Sequence, residues 1–356
     1  MSTDVSTPTN LDAWLDGGTE RLAGTGLPWL DAKRSSALER VRSQGFPTSK
    51  QEGWRYTGLK PLTEQPFLRY AEPVTGVEDE DLDEVLIPGL DAHRVVLVNG
   101  RYVPHLSGLQ DLPEGVRAAG LRTILEADPD AIADRLTEVA GDGANVFSAL
   151  NTAGMDDGFV LLLDRDAVVD RPIEIIHLSV GMDEPRVAQP RHLVVLEEGA
   201  RATLIERYVS LGASVYCTNS VLELSLGPDS GLTHYRVQSE SPNAFHITGL
   251  YLSQFANSRY RGVNLGLGAS WARTDLVVRF SGQDALCDLQ GLYLAGDKQL
   301  MDYHLDVDHG VPGCVSRENF KGILHGRGRA VFDGRIFVAK DAQKTDAQLT
   351  NKISYI

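Results

Sequence analysis

The sequence predicts a mostly β fold in which short strands stack into a solenoid, preceded by a helical or α+β N-terminal region. Glycine provides 35 of the 356 residues, which indicates many turns. From about residue 158 the hydrophobic pattern changes from a helical period to alternation, which is typical of strands. Turn signals then recur about every 26 to 30 residues, as expected when each coil of strands buries its apolar face on the next.

Helical signals lie at the start of the chain. Leu11, Trp14 and Leu15 fall at positions i, i+3 and i+4, which places them on one face of a helix. Pro28 fits the first turn of a second helix that continues past Val41. We therefore expect a helical region with a small hairpin over residues 1–150 and the β-helix core over residues 151–356.

Two further elements are predicted within that N-terminal region. The dipeptide Asn99-Gly100 lies between two apolar runs and predicts a tight hairpin, because both residues tolerate the positive φ angles of such a turn. A helix is predicted after it, with Asp128 as the N-cap and an apolar stripe that ends at Val139.

The strand-like runs after residue 150 are separated by short turn sequences. A two-sheet β-sandwich is an alternative, because its strands also recur about every 8 to 12 residues. A sandwich of this size needs many Asn-Gly hairpins, and these are scarce after residue 150. The solenoid is therefore favoured, with turns at Glu198-Gly199, Gly227 to Asp229, Ala256 to Ser258 and Gly282 to Asp284.

Charge and cysteine content exclude several classes of protein. The net charge of −15 gives no attraction to nucleic acid or to an anionic membrane, so neither is expected as a partner. The three cysteines, Cys217, Cys287 and Cys314, have no metal-binding spacing and are odd in number, which disfavours a disulfide framework. The polar N-terminus contains no export signal. A cytoplasmic location is expected.

A cluster of possible metal ligands lies in MDYHLDVDHGVPGC, where His304, His309 and Cys314 are the candidates. Adjacent side chains on one strand face lie about 6 to 7 Å apart, so other strands would have to complete such a site. The alternative is an exposed polar strand face with hydrogen-bonded histidines.

The remaining histidines of the strand region occur singly in their runs. They lack matched partners in the sequence, so we interpret them as structural residues rather than ligands. They are His177, His192, His234, His246 and His325.

Enzymatic motifs are missing from the sequence. It contains no G-x-S-x-G nucleophile turn and no phosphate-binding loop. One enzymatic alternative stays open, a β-helix carbohydrate-active enzyme that uses Asp302, Asp306 and Asp308 as acid and base. A cytosolic metal-binding protein is the other alternative.

The segment Ser316 to Asn351, with AQKTDA at its centre, resembles the segment shared by the SufB/SufD family of iron-sulphur cluster assembly scaffolds. Near the N-terminus, EGWRYTGLKPL (Glu52 to Leu62) and RVVLVNGRYVPHLSGL (Arg94 to Leu109) resemble signatures of its SufD branch. The similarity extends over nearly the whole chain in the family's order.

This resemblance implies a right-handed parallel β-helix and a non-catalytic role. A member of this kind pairs through the β-helix with SufB, or with a second copy of itself, and binds the ATPase SufC through a C-terminal helical domain. Together the subunits build clusters from iron and sulphide. The sequence, which ends at Ile356, has no counterpart of that domain or of the family's Lys-Cys-Ser-His-Gly motif. We therefore carry over no cluster ligand and no SufC-binding domain, and we expect no stably bound cofactor in this chain alone.

Overall fold

Two long parallel sheets make up most of the molecule, which we describe from a computed structural model covering residues 10–15, 21–70, 75–141 and 145–356. The helices are α1 (Asn10–Leu15), α2 (Pro28–Gln44), α3 (Lys60–Thr63), α4 (Asp79–Leu82), α5 (Leu121–Ala127) and α6 (Val146–Gly154). The strands are β1 (Leu68–Arg69), β2 (His93–Val98), β3 (Arg101–Tyr102), β4 (Val116–Gly120), β5 (Gly158–Leu163), β6 (Ile173–Val180), β7 (Arg186–Ala188), β8 (Arg191–Leu196), β9 (Arg201–Leu211), β10 (Cys217–Leu226), β11 (Gly231–Gln238), β12 (Phe245–Gln254), β13 (Arg259–Gly266), β14 (Trp271–Phe280), β15 (Leu286–Ala295), β16 (Leu300–His309), β17 (Val315–Leu324), β18 (Arg329–Val338) and β19 (Asp346–Tyr355).

Each coil of the solenoid gives one strand to each sheet. The first sheet has the order β18-β16-β14-β12-β10-β8-β5-β4, and the second has β19-β17-β15-β13-β11-β9-β6-β2-β3. From β5 onward the neighbouring strands of both sheets are parallel, and the antiparallel pairs among the described residues are β2–β3 and β4–β5. This arrangement confirms the predicted parallel β-solenoid and excludes the sandwich, whose strands pair antiparallel.

The predicted turn sequences form one corner of the solenoid. Gly199, Asp229, Asn257 and Asp284 have φ angles of 73°, 57°, 58° and 61°. The amides of the first three donate to carbonyls of the next coil, each at 2.9 Å. Gly, Asn and Asp are the residues that adopt this left-handed conformation at least cost. The turn residues therefore set the coil length and continue the hydrogen bonding of the sheets around the corner.

Apolar side chains fill the space between the sheets in rows that run along the solenoid. Leu222, Leu250, Leu276 and Leu305 are lateral neighbours on four successive coils, and all are buried. Burying a leucine side chain contributes about 1.5 to 3 kcal/mol. In-register stacking thus builds the core from the same inward-facing position of each successive coil.

The N-terminal region packs against the outer face of the first sheet. Trp14 of α1 contacts Phe46, Phe67 and Phe147, with ring centroids 5.9 to 6.2 Å apart. The Asn145 side chain caps α6 by accepting the amides of the second and third residues that follow it. The region therefore has an aromatic core of its own against the sheet.

The predicted hairpin is confirmed. Strands β2 and β3 pair antiparallel around Asn99 and Gly100, whose φ angles are 50° and 83°. Strand β2 also pairs with β6, so the hairpin extends the second sheet of the solenoid.

The helix predicted from Asp128 to Val139 is wrong. A 3₁₀ helix covers only Pro129–Ala131, and turns follow it. The Asp128 carboxylate pairs with Arg117 at 2.5 Å rather than capping a helix. The buried Glu223 carboxylate accepts hydrogen bonds from the amides of residues 137 and 140 at 2.8 and 3.0 Å. These amides would donate to backbone carbonyls of the preceding turn if the segment were helical.

We expect Gly291→Ala to destabilise the solenoid by about 1 to 3 kcal/mol, the usual cost of overpacking a core. A Cβ atom at Gly291 would lie 2.1 Å from the ring of Phe320, which is fully buried. Urea denaturation measures the change in the free energy of unfolding. Gly58→Ala is the control, because nothing lies within 4 Å of its Cβ position. Equal stability of the two variants would contradict the packing described.

Candidate functional site

The connector Glu52–Leu62 lies across the outer face of the first sheet, where Arg273 of β14 fixes it. The Arg273 guanidinium lies 3.7 Å from the centroid of the Trp54 ring, and its Nη1 donates to a connector carbonyl at 2.7 Å. Thr57 Oγ1 donates to Asp302 Oδ2 at 2.5 Å. Cation–π contacts and charge-assisted hydrogen bonds are strong when desolvated, as here. The family-like signature EGWRYTGLKPL therefore fastens the N-terminal region to the solenoid.

Arg273 is the centre of a buried ion network. Its guanidinium lies 2.9 Å from a carboxylate oxygen of Asp275 and 3.0 Å from one of Asp302. Burial alone would lower the pKa of Arg273, but the two carboxylates raise it. Two buried carboxylates thus share one fixed cation.

His304, a predicted metal ligand, lies on the same outer face. Its Nε2 is 2.9 Å from Asp302 Oδ1, and its Nδ1 is 3.6 Å from Asp333 Oδ2. One of these carboxylates belongs to the strand of His304 itself and the other to the next coil, so both ring nitrogens face protein groups.

The other two predicted ligands lie elsewhere. His309 points into the solenoid, where its Nε2 lies 3.0 Å from Ser316 Oγ, and burial lowers its pKa. The Cys314 thiol, in the turn after β16, lies 3.4 Å from the Gly282 carbonyl as a donor, and burial raises its pKa. His304 and His309 are five residues apart, so strand alternation sends them to opposite faces. The three side chains do not converge.

Of the three carboxylates of the carbohydrate-active alternative, Asp306 lines an open groove of about 570 Å³, and Asp302 and Asp308 lie outside its lining. Asp302 is held by Arg273, and Asp306 is bound by Arg335 through two hydrogen bonds of 2.6 and 3.0 Å. Acid-base catalysis by a glycosidase needs one unpaired carboxyl on each side of the scissile bond. Two of the three candidates are already engaged by arginines.

A buried polar cluster inside the solenoid was missed by sequence reasoning. We call it the polar column. Its members face inward from β6, β9, β11 and β12 or from the turn after β11, and none is more than 5% exposed. They are His177, Glu206, Tyr208, His234, Arg236, Glu240 and His246.

Contacts run through the column from coil to coil. His177 stacks on the Tyr208 ring with centroids 4.1 Å apart, and the Tyr208 hydroxyl donates to Glu206 at 2.6 Å. His234 Nε2 lies 3.2 Å from the same carboxylate. On the next coil, His246 Nε2 lies 2.5 Å from Arg236 Nη2. The column is one connected network.

Both carboxylates of the column are ionised. Burial alone would raise the pKa of Glu206, but contacts with His177, His234 and Arg236 hold it well below its usual value. Burial likewise opposes the charge on Glu240, but His246, whose Nδ1 lies 2.7 Å away, lowers its pKa. Buried charges are tolerated when they are paired and hydrogen-bonded, and here neighbouring coils supply the partners.

Among the described residues, His177, His192 and Glu206 form a group that could hold a metal ion, with ligand atoms within 4.8 Å of one another. The donor set fits poorly. His192 Nδ1 accepts the Phe159 amide at 3.0 Å, and burial lowers the His192 pKa to about 3. The neutral ring therefore carries its proton on Nε2, and a metal there would have to displace that proton.

The last coils hold a further buried acid. Glu318 faces inward from β17, and burial raises its pKa to about 7. Its charge adds to the effect of burial in raising the pKa of Cys287. Burial also keeps the pKa of Cys217 well above its usual value. All three cysteines of the chain are therefore protonated thiols.

Four of the strand histidines, which occur singly in their sequence runs, come together in the fold. His177 and His192 lie 4.8 Å apart between ring centroids, and His234 and His246 belong to the polar column. Their common signal is a polar residue at an inward position of consecutive coils. That signal becomes readable only when the register between coils is known.

Comparison with known proteins agrees with this architecture. Residues 178–353 match the family described as "SUF system FeS cluster assembly, SufBD core domain", and residues 15–175 match "SufBD protein N-terminal region". The chain belongs to the SufBD family. The boundary between the two matches lies in β6, inside the solenoid, so the N-terminal family region includes the first coil.

Relatives with curated names agree with this assignment. The chain is 29% identical over 339 residues to an iron-sulfur cluster assembly SufBD family protein of Synechocystis, covering 93% of this chain and 74% of the relative. It is 28% identical over 316 residues to the iron-sulfur cluster assembly protein SufD of Escherichia coli, covering 88% and 71%. Protein ABCI7, chloroplastic, of Arabidopsis thaliana is 30% identical over 340 residues, covering 91% and 69%. The predicted SufB/SufD resemblance is confirmed, and the chain is a SufD-like iron-sulphur cluster assembly protein.

We expect Arg273→Ala to lower the free energy of unfolding by about 3 to 5 kcal/mol, because it leaves buried carboxylates without their cation. The matched control is Arg335→Ala, two coils away from Arg273. It removes an exposed arginine that pairs with Asp306 on the neighbouring coil, and it should cost about 1 kcal/mol or less. Urea denaturation followed by circular dichroism measures both. A cost for Arg273→Ala no larger than the control would contradict its role in fastening the connector.

Glu318→Gln should stabilise the protein at alkaline pH. The folded pKa is about 7 against an ordinary value of 4.5, so ionisation costs folding free energy as the pH rises through this window. The penalty is absent below the unfolded pKa and complete above the folded one. The melting temperature of the variant should exceed that of the wild type at about pH 8 and equal it at about pH 4. An identical difference at both pH values would rule out the buried acid as the cause.

Proposed function

We propose that the chain is a non-catalytic scaffold subunit of a Suf iron-sulphur cluster assembly complex that pairs with SufB and acts with the ATPase SufC. The observation that carries the proposal is the match to both SufBD family regions, in family order, over the solenoid and the N-terminal region. A relative named SufD aligns over 88% of the chain. We assign the protein to the cytoplasm, where free thiols such as its three cysteines stay reduced.

The last described coil offers a surface for pairing. Strands β18 and β19 are the outermost strands of their sheets, and among the described residues each pairs with a strand on one side only. Phe337, Val338, Ile353 and Tyr355 are 51%, 46%, 39% and 77% exposed there. We propose that these exposed apolar side chains contact SufB, because the centre of a protein interface is usually apolar.

The chemistry of the chain's own side chains favours a scaffold over an enzyme. A thiolate is the nucleophile and the metal ligand of cysteine, and the three buried thiols here have raised pKa values. Asp302 and Asp306 are engaged by arginines. We propose that the chain alone holds no cluster stably and that cluster ligands come from the assembled complex. None of the described helices has the length and apolar character needed to cross a membrane.

Co-expression with SufB and SufC under anaerobic conditions tests the pairing. We expect affinity purification of this chain to recover both SufB and SufC. Ile353→Lys with Tyr355→Lys places charges on the last coil and should abolish recovery of SufB. Met182→Lys with Val215→Lys is the control, because it changes exposed apolar residues in turns of earlier coils. Failure to recover either protein, or equal loss in the control, would contradict the proposal.

Iron analysis tests the cofactor proposal. After anaerobic incubation with Fe²⁺ and sulphide and removal of unbound ions, the purified chain alone should retain no cluster absorbance, whereas the co-purified complex should. A stable cluster on the isolated chain would contradict this assignment.

A further inference from the structure

An open trough crosses the outer face of the second sheet near the start of its strands. Its volume is about 520 Å³. Its floor and walls come from β9, β11 and β13. The residues that define this basic trough are Arg201, Thr203, Gly231, Thr233, Arg259 and Arg261.

In-register pairing brings the arginines together. Gly231 is the lateral neighbour of Arg201 on one side and of Arg259 on the other. The two arginine Cα atoms are therefore separated by two strand spacings, about 9 to 10 Å. Arg201 Nη1 lies 3.0 Å from the position of a Cβ atom on Gly231, so its guanidinium lies over the glycine. Because Gly231 has no side chain, it leaves room between Arg201 and Arg259 for their two guanidinium groups.

These cations are unsatisfied in an acidic protein. Carboxylates outnumber Lys and Arg by 49 to 34, and exposed arginines elsewhere on the solenoid, such as Arg317 and Arg335, pair with carboxylates at 2.7 and 2.6 Å. Within the described part of the chain, neither Arg201 nor Arg259 has a carboxylate within 4 Å. Arg261 is 3.6 Å from Asp288 and is largely exposed. An external anion would complete the charge pairing that the chain leaves open.

The surroundings limit the kind of anion. Asp170 and Asp288 border the trough, so its positive region is about two strand spacings long. A positive region of that length suits one or two carboxylates. It is too short to follow a nucleic acid backbone, whose charges recur about every 1.7 Å along a much longer duplex. The trough is also open, whereas small-molecule sites enclose about 70 to 90% of their ligand. Guanidinium groups bind carboxylates through two parallel hydrogen bonds, and threonine hydroxyls add further donors.

We propose that the basic trough binds an acidic segment of a partner protein, with one Asp or Glu carboxylate held between Arg201 and Arg259 over Gly231. The contact is electrostatic, so it speeds and orients association and weakens with salt. It lies on the side of the rod, away from the exposed edges of β18 and β19. It is therefore independent of the pairing proposed above.

Fluorescence anisotropy with a labelled ten-residue peptide that carries five Glu and Asp residues tests the proposal. We expect saturable binding to the full chain. The affinity should fall at least about threefold when NaCl is raised from about 50 to about 200 mM. The same peptide with Gln and Asn in place of the acids should bind at least tenfold more weakly. Arg201→Glu with Arg259→Glu should weaken binding of the acidic peptide at least tenfold.

Two variants separate the trough from general charge effects. Lys321→Glu with Arg327→Glu makes the same change in net charge at exposed sites outside the trough, and its affinity should stay within twofold of the wild type. Gly231→Ala displaces the Arg201 guanidinium without changing any charge, and should weaken binding at least threefold. Unchanged melting temperatures show that the variants fold.

Several results would overturn the proposal. Equal weakening by both charge-reversal pairs would assign binding to net charge alone. Binding of inorganic phosphate or a single-stranded oligonucleotide at the trough without binding of the acidic peptide would assign it to another ligand. A loss of dimers in Arg201→Glu with Arg259→Glu, with no peptide binding to the wild type, would make a second copy of the chain the occupant.

Discussion

In-register parallel pairing is the constraint on which the rest of this structure depends. Every residue of a coil lies beside the residue at the same position of the next coil, so a side chain's neighbours are fixed by the spacing of the repeat. At apolar positions this gives continuous rows such as Leu222 to Leu305. At polar positions a buried group can be paired from its own strand or from the next coil. The polar column and the Arg273 network are two examples of such pairing.

The two networks stabilise different parts of the molecule. The polar column lies between the sheets, where Arg236 offsets the charge of Glu206 and the His246 imidazole donates a hydrogen bond to Glu240. Because partners on neighbouring coils are needed, these residues specify the register of the coils as well as their stability. The Arg273 network lies outside the sheet and joins it to the connector. Its aromatic and ionic contacts give Trp54 and Thr57 of the family-like signature a structural role.

Sequence reasoning succeeded where the signal was local or periodic. Coil spacing, the positive-φ turns at Gly199 and Asn257, and the hairpin at Asn99 follow from the conformational preferences of single residues. The helix after Asp128 failed because Glu223, distant in sequence, captures the amides of that segment. The converging histidines were not predictable for a related reason: a difference of one residue in coil length moves a side chain to the opposite face. Among the metal candidates, His304 and His309 lie on opposite faces of one strand, a separation that alternation alone implies.

The protected state of the three cysteines bears on durability. Oxidants such as peroxide attack the thiolate form, and an occluded protonated sulphur is a poor target. Cys217, Cys287 and Cys314 are all sealed within the packed body of the rod. The core packing around these three sulphurs therefore does not present a reactive thiolate to solvent, and it should be insensitive to mild oxidants.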